Sequence, residues 1–152
     1  AYTESPEAYQ RNMERLQLKW QTARHLVPRA DITGRGGSVG VLYYGTTALP
    51  IPEALDKLAV NGVHLDTCRV RGFPFGDEVE TFVAQHDLIF VVEQNRDGQM
   101  RTLLINELQT NPAKLIPILY FAGLSISADF IDEQISAYYE EHKLARLTEV
   151  KS

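Results

Sequence analysis

The side chains best placed for chemistry are Glu93, Gln94, Asn95, Arg96 and Asp97, five polar residues that follow the apolar run Leu88 to Val92 directly. Two carboxylates, two amides and a guanidinium in sequence supply both donors and acceptors. Such a set can meet a small anion or the polar rim of another protein. Gly98 then permits a turn, and Met100, Leu103, Leu104 and Leu108 recur close to the helical period. A polar crest between a strand and a helix lies at the carboxyl end of the strand, where open parallel sheets meet ligands and partners. The plainer reading is that Asn95, Asp97 and Gly98 only turn the chain and that Glu93 is solvated.

Other candidates carry less chemistry. Gly45, Thr46 and Thr47 follow the strand-like Val39 to Gly45 and offer backbone donors and two hydroxyls to an anion. The cluster Gly34-Arg35-Gly36-Gly37 invites comparison with a phosphate cradle, but such cradles follow a strand and open a helix. Here the glycines precede the strand, so Asp31 to Ser38 reads as a linker and hinge. His64 has no second ligand at metal-binding spacing and reads as a surface or hydrogen-bonded histidine. Cys68 sits among Arg69 and Arg71, which would lower its pKa, although a buried small hydrophobe is the simpler role. Pairs such as Asp129 with Asp132 and Glu140 with Glu141 read as solvated faces. No nucleophile elbow, Walker loop, catalytic triad context or metal-spaced histidine pair is visible, so neither a catalytic nor a metal residue is assigned.

The elements that position these residues follow from periodicity. Ser5-Pro6-Glu7 is a helix start, and Tyr9, Met13, Leu16, Trp20, Ala23 and Val27 form one apolar seam that Val27-Pro28 ends. This amphipathic arm, residues 1–30, is expected to pack on the body or on a neighbouring subunit. The body, residues 38–145, alternates strand and helix: a strand over Val39 to Gly45, then a helix entered through Pro50 and Pro52 and stopped at Asn61-Gly62. A second strand falls within Val63 to Arg71, and a helix spans Asp77 to Gln85. Leu88 to Val92 is expected as the central strand, because an unbroken apolar run is buried on both faces. After the crest and its helix, a strand over Leu115 to Phe121 carries Pro117, which confines it to an edge or a bulge. Ser127 caps a last helix bearing Phe130, Ile131, Ile135, Tyr138 and Tyr139, and the tail beyond Lys143 should fray. The sum is an α/β, three-layer α/β/α domain with a mostly parallel sheet, preceded by a long amphipathic N-terminal helix.

Composition bounds the class. The 152 residues, 44% hydrophobic, suffice for one domain with a core. The net charge of −5 argues against a nucleic-acid footprint over the surface. Residues 1–30 hold five basic and three acidic side chains, so the arm is +2 and the remainder −7. A single cysteine excludes an internal disulfide and any cysteine-ligated zinc or iron–sulfur site built from this chain alone, which fits a reducing cytoplasm. No apolar run approaches the roughly 18 to 20 residues that cross a bilayer. The opening at Ala1-Tyr2-Thr3-Glu4, without methionine and leading into a helix, reads as part of something longer.

Several motifs together resemble a known family. Tyr44-Gly45-Thr46-Thr47 before Glu53-Ala54-Leu55, Arg69-Val70-Arg71 with Phe73-Pro74-Phe75, and above all Val91-Val92-Glu93-Gln94-Asn95-Arg96-Asp97-Gly98-Gln99 resemble the C-terminal domain of the alpha subunit of 2-oxoacid:ferredoxin oxidoreductases, most nearly the 2-oxoglutarate type. The similarity runs from Trp20-Gln21-Thr22-Ala23-Arg24 and Val27-Pro28 to Gly123-Leu124 and Ser127. It implies a transketolase C-terminal-like fold and a cytoplasmic enzyme that oxidatively decarboxylates a 2-oxoacid onto coenzyme A and reduces ferredoxin. It further implies that thiamine diphosphate, Mg2+ and an iron–sulfur cluster are held by the beta subunit and a preceding alpha-subunit domain, with none bound here. Glu93, Gln94, Asn95, Arg96 and Gln99 are then expected on an inter-domain or subunit contact surface. The alternative is a regulatory module that binds a nucleotide or coenzyme A phosphate at the crest and the Gly45 loop.

Overall fold

The structure, a computed structural model, describes residues 4–144. The expected fraying of the tail, the end of the body at residue 145 and the lead-in at residues 1–3 lie outside these described residues.

Helix α1 (Pro6–Arg24) starts as its sequence dictates: Ser5 Oγ accepts from the Ala8 N–H at 3.3 Å, and Pro6 and Glu7 occupy the first turn. Its regular part stops at Arg24, earlier than the Val27-Pro28 boundary, because the His25 and Leu26 N–H groups tighten onto the Thr22 and Ala23 carbonyls. The expected packing of the seam on the body is made only by its last turn. No residue of α1 is buried, and Tyr9, Met13, Leu16 and Trp20 are all exposed. Trp20 meets Phe73 edge to face at 5.2 Å, and Arg24 pairs with Asp77 and Glu80 of the body.

The stretch expected as a linker starts with a strand. β1 (Asp31–Thr33) pairs antiparallel with β3 (Asp66–Val70), so the sheet reaches back to Asp31 rather than starting near residue 38. A three-residue strand with all side chains exposed carries no hydrophobic pattern by which it could be read. β2 (Val39–Tyr44), β4 (Leu88–Glu93) and β5 (Leu115–Leu119) complete the sheet in the order β1-β3-β2-β4-β5, with the last four strands mutually parallel. The middle place belongs to β2. β4 is interior beside it, paired on both edges, which satisfies the same demand for burial on two faces. β5 is an edge strand, and Pro117 stands in it opposite Val91 with its ring exposed.

Alternation along the strands sorts the core into two layers. Val41, Tyr43, Phe90 and Val92 pack against α2 (Ile51–Val60) and α5 (Ala128–Glu141), through Ile51, Ala54, Leu58, Ile131, Ile135 and Tyr139. Leu42, Ile89, Val91 and Cys68 face α3 (Asp77–Gln85) and α4 (Gln99–Leu108), through Val79, Phe82, Val83 and Leu104. Each large side chain withdrawn from water in this way contributes about 1.5–3 kcal/mol. The result is the expected three-layer α/β/α architecture, with every parallel strand pointing its carboxyl end toward the crest.

Candidate functional site

The crest is built around Glu93, the last residue of β4. Its carboxylate is fully buried and accepts from the Met100 N–H at 2.7 Å, the Arg101 N–H at 2.9 Å and the Asn95 Nδ2 at 2.8 Å. Two of the first free amides of α4 are thereby satisfied from within the chain, and the carboxylate's charge sits at the positive end of the helix. Gly98, at φ +61°, provides the left-handed step that swings α4 back over Glu93. Glu93 therefore turns inward and is withdrawn from solvent, contrary to its solvated reading.

Asn95 is committed at both ends. Its Oδ1 accepts from the Asp97 N–H at 3.1 Å and the Gln99 N–H at 3.3 Å, while its Nδ2 donates to Glu93 and, at 3.4 Å, to the Tyr44 hydroxyl. Burial and then the neighbouring Glu93 carboxylate push the Tyr44 phenol above its ordinary range, against the hydrogen bond from Asn95. Gln94 joins three loops. Its Nε2 donates to the hydroxyls of Thr46 and Thr47, each at 3.1 Å, and its Oε1 accepts from the Ile126 N–H at 3.3 Å. Gly45, Thr46 and Thr47 form a 3-10 turn in which Thr47 is buried, so the Gly45 loop and the crest make one connected surface. Arg96 and Gln99 face outward, and Arg96 pairs with its neighbour Asp97 at 2.7 Å. Leu49, Phe121 and Leu124, 81%, 65% and 77% exposed, flank the stitched loops at the carboxyl ends of β2 and β5.

A second polar centre, at the amino end of β3, was not legible in the sequence. Asp66 accepts from the backbone N–H groups of Arg35 at 2.8 Å, Gly36 at 3.0 Å and Gly37 at 2.9 Å. The glycine cluster is thus an anion cradle after all, and its anion is a side chain of the same protein. Burial opposes the Asp66 charge, but these three donors and His86 outweigh it and hold the carboxyl below its usual range. Concavities of about 430 Å³ and about 520 Å³ open on the two sides of this loop, away from the crest. His64 is exposed, as expected. Cys68 is fully buried, and desolvation followed by Glu78 pushes its thiol up to about 12, so the flanking arginines do not activate it.

Among the described residues no three His, Cys, Asp or Glu side chains come together as a metal site, and no helix is long and apolar enough to cross a membrane. At the crest the amides that would receive a phosphate are taken by Glu93, so the residues there do not fit a thiamine or coenzyme A phosphate.

Comparison with solved structures places this architecture. The chain superposes on 2-oxoglutarate:ferredoxin oxidoreductase from Magnetococcus marinus, solved with 2-oxoglutarate, coenzyme A and succinyl-CoA bound, at TM-score 0.77 and 20% identity, over 90% of this chain and 24% of that one. The fold is transketolase C-terminal-like. A split-gene transketolase in its inactive beta4 tetramer superposes at TM-score 0.57 and 11% identity, over 72% of this chain and 41% of that one. The chain spans about a quarter of the length of the first of these proteins. No family model and no curated protein matches the sequence.

Proposed function

We propose that this chain is the organising, non-catalytic domain of the alpha subunit of a 2-oxoacid:ferredoxin oxidoreductase, of the 2-oxoglutarate type. The complete enzyme would decarboxylate the 2-oxoacid to an acyl-CoA and pass electrons to ferredoxin. Thiamine diphosphate, Mg2+ and the iron–sulfur cluster would be held by the beta subunit and a preceding alpha-subunit domain. The superposition on the Magnetococcus marinus enzyme supports the reading, and the motif run Val91 to Gln99 supports it independently.

The observation that carries the domain's role is the commitment of the crest. Glu93, Gln94 and Asn95 spend their donors and acceptors on the chain itself, so they build a rigid surface rather than reach for a substrate. What that surface presents is Arg96 and Gln99 beside exposed Leu49, Phe121 and Leu124, a polar rim around apolar anchors. The same commitment counts against the small-anion alternative, because the α4 amides already hold a carboxylate.

The test is made in the complete enzyme. Arg96→Glu with Gln99→Ala should weaken subunit assembly about tenfold or more, the loss of one charge-assisted contact, as read by size-exclusion chromatography with light scattering. Turnover should fall in proportion to the assembled fraction. Unchanged assembly and turnover would remove the crest from any contact. Calorimetry of the chain with coenzyme A, thiamine diphosphate or a nucleotide should show no heat, and binding heat would favour the anion module.

A further inference from the structure

The centre at Asp66 and His86 has a protonation state that its hydrogen bonds dictate. His86 follows α3, is 5% exposed, and packs against the Phe82 ring in a tilted contact with centroids 4.1 Å apart. Its Nδ1 lies 2.7 Å from the Phe82 carbonyl oxygen, which can only accept, so Nδ1 carries a proton. Its Nε2 lies 3.3 Å from Asp66 Oδ2. That oxygen already accepts from Gly36 and Gly37, and Oδ1 accepts from Arg35. Three backbone donors on one carboxyl group stabilise its ionised form, which cannot donate in return. Nε2 must then donate as well. A neutral ring with its proton on Nδ1 would set a nitrogen lone pair against a buried anion.

We infer that His86 is held as an imidazolium and that the Asp66–His86 pair is a pH-operated latch on loop 34–37. That loop joins β1 to β2, and it is built without side chains where it meets the latch: a Cβ on Gly34 would stand 2.2 Å from Asp66 Cγ. Gly40 beneath the pair is equally constrained, since a Cβ there would stand 2.6 Å from the Phe82 ring and 3.2 Å from the His86 ring. Loss of the ring proton breaks the bond to Asp66 and leaves the cradle holding an uncompensated buried charge. Protonation of Asp66 removes the charge that the four donors stabilise and weakens their bonds to it. The latch is closed between these two events and loosens on either side.

The concavity of about 430 Å³ beside the pair, lined by Gly34, Gly36, Glu78, Thr81 and Gln85, gives water a route to it. The other charged groups around the latch are already engaged or turned away. Glu78 accepts from the Ala30 N–H at 2.8 Å, Lys114 donates to the Val83 carbonyl, and the Arg35 and Asp87 side chains extend into solvent. What the latch secures is short. β1 has three exposed residues, and besides its antiparallel pairing with β3 it is tied by the Ala30 bond to Glu78 and the Asp31 pairs with Arg71 at 3.2 Å and Arg69 at 3.8 Å. Opening the latch loosens the loop that follows β1, while the pairing of β1 with β3 remains.

The experiment follows the ring nitrogens of His86 by NMR in the unmodified chain from about pH 5 to about pH 8, the range of histidine switches. Amide hydrogen exchange at Arg35, Gly36 and Gly37 is measured in parallel and corrected for the intrinsic rate. Both ring nitrogens should bear protons at the low end. As the Nε2 proton is lost, protection of the three amides should fall about tenfold, the scale of one charge-assisted hydrogen bond. In His86→Gln the protection should be independent of pH over that range. A ring without an Nε2 proton throughout, amides that do not change with the ring, or an equal pH dependence in His86→Gln would each overturn the latch. The ring-nitrogen spectrum needs no variant, so the inference is decided even if His86→Gln fails to fold.

Discussion

Glu93 and Asp66 are carboxylates taken out of water and placed on backbone N–H groups, and each closes a site that would otherwise attract a foreign anion. Removing either leaves amides without an acceptor. Glu93→Ala should therefore cost about 3–5 kcal/mol, since a buried charge, a cap on α4 and packed volume are lost together. Denaturant unfolding of the variant against the parent measures it, and a loss below about 1 kcal/mol would mean that water replaces the side chain. Asp66 makes a pH-dependent contribution with a definite sign. Its folded carboxyl titrates below the unfolded one, so its stabilisation is complete above the unfolded value of about 3.9. It is lost as pH falls through the lowered folded value. Asp66→Asn should lower stability near neutrality and flatten the acid limb. Urea midpoints collected from about pH 7 to about pH 3 test this, because every other carboxylate is unchanged between the two proteins.

At the scale of elements, α1 and α4 differ in what supports them. α1 has a seam at helical spacing but no buried residue, so its own propensity, its Ser5 cap and the contacts of Trp20 and Arg24 sustain it. α4 carries a weaker pattern yet is anchored by fully buried Leu104 and by Glu93 at its start. Leu16→Ser should accordingly change the stability of the chain by no more than about 0.5 kcal/mol, whereas Leu104→Ala should cost about 2–5 kcal/mol. Thermal unfolding monitored by circular dichroism separates them. If Leu16→Ser unfolds as readily as Leu104→Ala, the seam is packed in solution. β1 shows the same distinction among strands: three exposed residues bury too little to hold a strand by themselves, so β1 rests on the edge that β3 offers and on Asp66 holding the following loop.

In the whole molecule the parallel strands bring three loops to one end, and Gln94 ties them through Thr46, Thr47 and Ile126. Gln94→Ala should leave the core intact and cost about 1–2 kcal/mol, read as faster amide exchange at Ile126 and in the 3-10 turn at Thr47. Exchange that rose equally in β4 would show instead that the whole fold had been weakened. The alternation of apolar runs with amphipathic stretches was enough to determine the order of strands and helices from Val39 onward, the confinement of Pro117 to an edge or a bulge, the Ser127 cap and the α/β class, because these are local consequences of period and backbone chemistry. The Val91 to Gln99 run likewise marked the crest and the family resemblance. What only the tertiary structure decided is which way each polar group turns. Glu93 reads as solvated and the glycine cluster as a hinge until α4 folds over the one and Asp66 reaches the other across 29 to 31 residues of chain. A hydrogen bond between distant residues leaves no periodic trace in either segment, so the acceptor of a buried amide is known only when the chain has closed on itself.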